Sequence, residues 1–307
     1  MQLPPQAVED VVSLPVLPPR PADSNKGDFG RVLVVAGSRG MSGAAILCAS
    51  AALRGGAGLV RLAVPQEIVP IVASANPCYM TAPLPQDEQG RIAARAEAEL
   101  LALARVNDVV ALGPGLGQSP HLAGLAAALI TQTRVPLVID ADGLNNLRDR
   151  TNLLRGRPAP LVLTPHPGEF ARLLQSDVAT VQAARRDLAV RFAAEHGVVL
   201  LLKGHGTLVT DGRRVYTNRT GNPGLATGGT GDVLTGLVAA LLGQGLEPFA
   251  AAQLGAYLHG LAGDLARDQL GEVSLIAIDL LDYLPQAFRQ LSVVNHPSSA
   301  VERKESG

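Results

Sequence analysis

The segment Asn222-Pro223-Gly224-Leu225-Ala226-Thr227-Gly228-Gly229-Thr230-Gly231-Asp232 runs directly into Val233-Leu234-Thr235-Gly236 and a long apolar stretch. Glycines and threonines placed before an apolar helix leave its first N–H groups free. The positive end of the helix dipole adds to them, so Gly228, Gly229, Thr230 and Gly231 read as an anion hole. Glycine also lets a phosphate approach the backbone closely. Asp232 is out of place there, because a carboxylate repels phosphate unless it acts as a base or is screened by a cation. As a base it would accept the proton of an alcohol about to be phosphorylated. The plainer reading makes Asp232 a helix cap and the glycines a turn. A cap, however, needs no run of glycines in front of it.

Other polar residues stand at predicted strand ends. Lys203 closes a strand and is followed by Gly204, His205, Gly206 and Thr207. It can pair with nucleotide phosphates or be a solvated strand end. His166 lies between Pro165 and Pro167, which would present it on a rigid turn. Gly115 belongs to Gly113-Pro114-Gly115-Leu116-Gly117 after another strand, where a turn is expected with or without a ligand. Ala44 follows Gly43 at a helix start; its small size serves ligand approach and helix packing equally well. Asp140, Asp142 and Asn145 form a polar cluster that can hold magnesium through water or order a substrate loop, and Asp142 can equally cap a short helix. A Walker-type P-loop, a Gly-x-Gly-x-x-Gly fingerprint, a His-Glu-x-x-His zinc site and a Gly-x-Ser-x-Gly elbow are all missing. An ordinary nicotinamide-dependent dehydrogenase is therefore disfavoured.

These residues need a frame. Short apolar runs predict strands at Arg31–Ala36, Leu59–Val64, Asp108–Leu112, Leu137–Asp140, Leu161–Thr164 and Val198–Leu202. Leu208–Thr210 and Val215–Thr217 flank Asp211-Gly212 as a hairpin. Helices are predicted at Ala44–Leu53, Leu122–Thr131, Val178–His196, Asp232–Leu242, Pro248–Asp268 and Ile278–Leu291. Strands alternating with helices predict an α/β fold with a mostly parallel central sheet and ligands at the strands' carboxyl ends. One domain is expected over residues 24–291, after a proline-rich N-terminal arm (1–23) and before a disordered polar tail from Ser292 to Gly307. In the 307 residues, 26 basic side chains face 27 acidic ones, so no charge excess points to nucleic acid or a membrane surface. The start lacks the pattern of a signal peptide, and no apolar run is long enough for a membrane span. Cys48 and Cys78 form neither a metal pair nor a disulfide framework, which fits a reducing cytoplasm.

The glycine-rich segment resembles the anion hole and catalytic aspartate of ribokinase-like kinases. The wider chain resembles one branch of them, the ADP-dependent NAD(P)H-hydrate dehydratases. Lys26-Gly27-Asp28-Phe29-Gly30, Ala36-Gly37-Ser38, Ser42-Gly43-Ala44-Ala45, Gly113-Pro114-Gly115-Leu116, Asp140-Ala141-Asp142-Gly143-Leu144-Asn145, Thr164-Pro165-His166-Pro167-Gly168-Glu169 and Lys203–Thr207 carry the likeness, in that order. Gly-Thr-Gly-Asp alone marks only the superfamily; the Thr164–Glu169 block among the others is far more specific. The resemblance implies a three-layer α/β/α sandwich. It implies that Ala44, Gly115, His166 and Asp232 contact a hydrated dinucleotide, (6S)-NADHX or NADPHX. Lys203, Gly204, His205, Gly206, Thr207 and Gly231 would then hold the adenine nucleotide.

By the same resemblance, ADP with Mg2+ phosphorylates the hydrate hydroxyl, phosphate leaves and NADH or NADPH is restored. Cytoplasmic location, a homo-oligomer (a tetramer) and a separate NAD(P)HX epimerase are also implied, the stretch before Lys26 being too short for an epimerase domain. The magnesium ligands stay open. Rival expectations are a small-molecule kinase of the same fold, for a thiazole or hydroxymethylpyrimidine, and a non-catalytic nucleotide sensor.

Overall fold

The computed structural model describes residues 8–295. In chain order its elements begin with β1 (Glu9–Asp10), β2 (Arg31–Val35), α1 (Ser42–Arg54), β3 (Leu59–Pro65), α2 (Val69–Ala75), β4 (Met80–Leu84) and α3 (Glu97–Arg105). There follow β5 (Val109–Leu112), α4 (Pro120–Gln132), β6 (Leu137–Ile139), α5 (Ala141–Asn145), β7 (Leu161–Leu163), α6 (Pro167–Leu173), α7 (Val178–Ala183) and α8 (Arg185–His196). The chain continues through β8 (Val199–Leu202), β9 (Leu208–Thr210), β10 (Arg214–Thr217), α9 (Thr230–Gly243), α10 (Pro248–Leu270) and α11 (Ala277–Asn295).

The strands form one sheet in the order β1-β10-β9-β8-β7-β6-β5-β2-β3-β4. All of these pairings are parallel except those of β9 with its two neighbours. Alternation along a strand sends successive side chains to opposite faces, and β2 shows the result. Val32 and Val34 pack with Cys48, Leu237, Leu258 and Leu284 from α1, α9, α10 and α11. Leu33 and Val35 pack with Leu100, Leu122 and Phe170 from α3, α4 and α6. Helices thus cover both faces, giving the expected three-layer α/β/α sandwich. The chain leaves β2 for β3 and β4 on one side, then returns to build β5 through β8 on the other. That reversal opens a crevice between the carboxyl ends of β2 and β5, the place where open parallel sheets bind ligands.

Several expectations need correction. The arm is not all loop: Glu9 and Asp10 pair with Arg214 and Val215, and Gln253 donates to the Ser13 carbonyl at 2.7 Å. Prolines exclude a helix there but not a short edge strand. The predicted Val178–His196 helix breaks at Ala184, whose φ/ψ of −137°/39° is not helical. Its apolar spacing is shared by two short helices, and so the periodicity hid the break. The chain remains helical through Asn295, beyond the predicted tail start at Ser292; the rest of that tail lies outside the described residues. Met80–Leu84 is an additional edge strand, which Pro83 masks in the sequence and which an edge position tolerates. The Lys26–Gly30 block sits far from the crevice, at the opposite end of the sheet. A Cβ on Gly30 would fall 2.3 Å from the Gly243 carbonyl oxygen at the end of α9, so glycine is needed at that position for packing.

Candidate active site

Gly229, with φ at +96°, is the residue that caps α9, and Asp232 makes no capping hydrogen bond. The backbone ladder opens with Val233 N–H to Gly229 O at 3.2 Å, so the N–H groups of Thr230, Gly231 and Asp232 come before it. The Thr230 hydroxyl bonds back to the Leu225 carbonyl at 3.0 Å, so the expected anion hole would rest on backbone N–H groups. Asp232 is partly buried. Burial, then the nearby Asp140 carboxylate, pushes its pKa up to about 7, against the pull of Lys203 and with Glu169 and Asp142 adding to the rise. A carboxylate in that range is matched to proton transfer near neutral pH.

Lys203 is not a solvated strand end. Its Nζ donates to Asp140 Oδ1 at 2.7 Å and lies 3.8 Å from Glu169 Oε2. Burial works against its charge, but Asp140 and Glu169 outweigh it and hold its pKa above the ordinary value. Asp140, 1 % exposed, accepts a second hydrogen bond from Thr235 Oγ1 at 2.7 Å. A Cβ on Gly231 would come within 3.2 Å of the Lys203 ammonium, which places that cation directly beneath the first turn of α9. Glu169 has its pKa raised by burial, with Lys203 opposing.

His166 caps α6. Its Nδ1 accepts from the N–H groups of Gly168 at 3.0 Å and Glu169 at 3.4 Å, while the Glu169 carboxylate accepts from the His166 N–H at 2.8 Å. With Nδ1 accepting, a neutral ring carries its proton on Nε2. Burial, then the charges of Lys203 and Arg172, lowers the His166 pKa, so the ring stays neutral. His166 Nε2 itself lies 3.4 Å from Glu169 Oε1, so both ring nitrogens face groups of α6.

Gly115 and Ala44 meet at the crevice. Gly115 has φ at +62°, and a Cβ there would lie 2.9 Å from the Met41 carbonyl oxygen and 3.0 Å from Ala44 Cβ. The loops after β2 and β5 are joined by Gly37 N–H to Pro114 O and Ser38 Oγ to Gly115 O, both 2.8 Å. Asp142 does not cap α5 with its side chain. It accepts from Gly117 N–H at 2.9 Å and Gln118 Nε2 at 3.0 Å, and Asn145 accepts from Arg172 Nε at 2.9 Å. Asp142 thus orders the glycine loop, and Asn145 donates to Asp142 at 3.1 Å. Among the described residues no group of three or more His, Cys, Asp or Glu is arranged to hold a metal ion.

Beside the anion hole lies a cavity of about 990 Å³. The Lys203–Thr207 loop and Gly231 line it with residues 217–223, Leu225, Leu234 and the facing side of α10. That volume suits a nucleotide. Sequence reasoning missed several contributors. His259 Nε2 donates to the Thr230 carbonyl at 2.8 Å, and burial pushes its pKa down to about 4. Arg185 donates to the Leu202 and Lys203 carbonyls at 3.2 Å each, fixing the loop after β8. Nothing in the sequence marks His259, which lies inside an apolar helix. Arg185 sits in what looked like mid-helix.

Comparison with known proteins gives the chain a family. The family model described as NAD(P)H-hydrate dehydratase matches residues 32–286. The bifunctional NAD(P)H-hydrate repair enzyme Nnr of Moorella thermoacetica is 50% identical over 277 residues, covering 90% of this chain and 52% of that protein. This chain thus spans about half the length of the bifunctional relatives it matches. The ADP-dependent (S)-NAD(P)H-hydrate dehydratase of Neisseria meningitidis is 42% identical over 258 residues, covering 82% of each chain. The ADP/ATP-dependent NAD(P)H-hydrate dehydratase of Bacillus subtilis, co-crystallised with ATP and Mg2+, superposes with a TM-score of 0.79 at 31% identity, covering 89% of this chain and 94% of that one. On the family match and these identities, the chain belongs to the NAD(P)H-hydrate dehydratase family.

Proposed function

We propose that this protein removes water from hydrated NADH and NADPH, with ADP as phosphoryl donor. One observation carries the reading: Asp232, with a pKa near 7, stands on an anion-binding helix start, next to a nucleotide-sized cavity. The hydrated nicotinamide ring bears a hydroxyl beside its nitrogen, and hydroxide leaves poorly. Asp232 accepts the hydroxyl proton as the oxygen forms a bond to the terminal phosphorus of ADP. The bond from that phosphorus to AMP breaks, and AMP departs. The ring nitrogen's lone pair then expels phosphate, and loss of a proton from the adjacent ring carbon restores the dihydropyridine. The N–H groups of Thr230, Gly231 and Asp232 stabilise the transferring phosphoryl group. Ala44, Gly115 and His166 hold the dinucleotide at the crevice. Lys203 through Thr207 and Gly231 hold the nucleotide. Magnesium bound along with the nucleotide would supply charge neutralisation at its phosphates.

Cytoplasmic location, a homo-oligomeric state and a separate NAD(P)HX epimerase as pathway partner belong to the same proposal. Among the described residues no helix is long and apolar enough to cross a membrane. The test is incubation of hydrated NADH with the protein, magnesium and ADP. Return of the near-ultraviolet absorbance of NADH, with AMP and phosphate formed, is the expected result. A stable phosphoester would identify a kinase instead, and no turnover a sensor. Turnover with ATP and none with ADP would reverse the donor assignment.

A further inference from the structure

A buried ammonium beside a helix N-terminus is two positive charges brought together, an arrangement that repels itself until an anion arrives. Lys203 Nζ lies 3.2 Å from where a Gly231 Cβ would be, below the turn whose N–H groups form the anion hole. Nothing in strand β8 obliges the side chain to stay there; the open cavity adjoins it. What keeps it is first of all Asp140, 63 residues earlier in the chain, at 2.7 Å, with Glu169 farther off at 3.8 Å. The other oxygen of Asp140 is fixed by Thr235 on α9, also at 2.7 Å. The same Thr235 hydroxyl lies 3.0 Å from the Gly231 carbonyl. Asp140 therefore ties the end of β8 to the first turn of α9 and sets the distance between the cation and the anion hole.

We propose that Asp140 is a positioning residue for the reaction: through Lys203 and Thr235 it holds an ammonium ion beneath the first turn of α9, where that charge and the turn's N–H groups act on the same transferring phosphoryl group. This deepens the function proposed above and rests on it. Lys203 then belongs to the electrostatics of phosphoryl transfer as well as to nucleotide recognition. Asn at position 140 keeps one acceptor oxygen, puts a donor amide in place of the other, and cannot offset the desolvation of a buried ammonium. Lys203 would lose its proton or turn into the cavity, and the preorganised charge would be lost.

The groups around Asp232 give a second readout. Asp140, Glu169 and Asp142 raise its pKa and Lys203 lowers it, while Cys48 of α1 faces Asp232 as a buried neutral thiol. His166 and Arg172 border the same cluster through Glu169 and Lys203. Losing the negative charge of Asp140, whose effect on Asp232 exceeds that of Lys203, moves the acid limb of the kcat/KM profile to lower pH even when the Lys203 charge is lost with it. Removing Lys203 moves it to higher pH.

The experiment measures Asp140→Asn, Lys203→Met, their double variant, Thr235→Val and Asp232→Asn, with kcat, nucleotide KM, pH profile and Tm for each. Asp140→Asn is expected to lower kcat by about 100-fold, the scale of a lost transition-state contact, with a smaller change in KM. Its acid limb should move opposite to that of Lys203→Met. The double variant should fall no further than Lys203→Met alone, since one residue acts through the other. Thr235→Val removes an anchor and no charge, and a kcat loss of roughly 3–10-fold is expected. Multiplying losses in the double variant, limbs moving together, or unchanged kcat in Thr235→Val would each overturn the proposal. Retained turnover in Asp232→Asn would instead overturn the base assignment on which it rests.

Discussion

Asp232 is held where its charge is most costly, and that cost is measurable. A folded-state pKa of about 7 against an ordinary 3.8 means that the native protein grips this proton more tightly than the unfolded chain does. The raised group adds stability that is full below about pH 4 and is lost as pH rises through about 7. Asp232→Asn cannot ionise. It should melt at a higher temperature than the wild type at about pH 8, with the gap closing toward about pH 4. Turnover should fall by about 100- to 10,000-fold. Melting curves across that range, beside turnover at each pH, check both halves. Equal melting at every pH would show that the carboxylate is not strained by burial, and near-normal turnover would show that it is not the base. The sequence showed Asp232 because its neighbours are anomalous for a carboxylate. It could not show Lys203 with Asp140, because that pair depends on β6 and β8 both ending beside α9.

At the scale of elements, glycines decide where chain can meet chain. Gly115 has φ at +62° and stands against the Met41 carbonyl and Ala44, so Gly115→Ala meets both backbone strain and contact. A loss of about 1–3 kcal/mol is expected, together with a raised KM for the dinucleotide and little change in nucleotide KM. Gly231→Ala should behave in the opposite way. Its backbone is helical and its only tight neighbour is the Lys203 ammonium at 3.2 Å, so Tm should hold while nucleotide KM rises. Matched melting and kinetic measurements on the pair test this split; a Tm loss confined to Gly231→Ala would contradict it. The same scale shows how far the sequence could be read. Central strands such as Val109–Leu112, buried on both faces, announce themselves as apolar runs. Edge strands do not: Glu9–Asp10 is two charged residues placed by pairing with β10 and by the Arg186–Asp10 ion pair, and Met80–Leu84 carries a proline. The break at Ala184 was hidden because helices α7 and α8 share one apolar spacing.

Across the whole molecule, the N-terminal segment lies on the sheet edge beyond the nucleotide cavity and bears on both stability and binding. β1 covers β10, and Val11, Leu14 and Leu17 pack against the core. Gln253 of α10 holds the Ser13 carbonyl, and Arg186 of α8 pairs with Asp10 at 2.7 Å. β10 leads directly into residues 217–223 of the cavity wall, where Asn218 Nδ2 donates to the Ala256 carbonyl at 3.0 Å. Removing residues 1–17 would uncover an edge strand and partly buried apolar side chains together worth roughly 2–4 kcal/mol. For a domain of this size that corresponds to a fall in Tm of about 5–15 °C. Asp232, Lys203 and the start of α9 do not touch the segment, so kcat at saturating ADP should stay near wild type while KM for ADP rises as the wall loosens. Removing residues 296–307, past the end of α11, should leave Tm and both constants unchanged. Thermal melts and ADP titrations of the two truncated proteins separate these expectations. An unchanged Tm without residues 1–17 would mean that the β1 pairing adds nothing, and a collapsed kcat would mean that the sheet edge reaches the phosphoryl-transfer site itself.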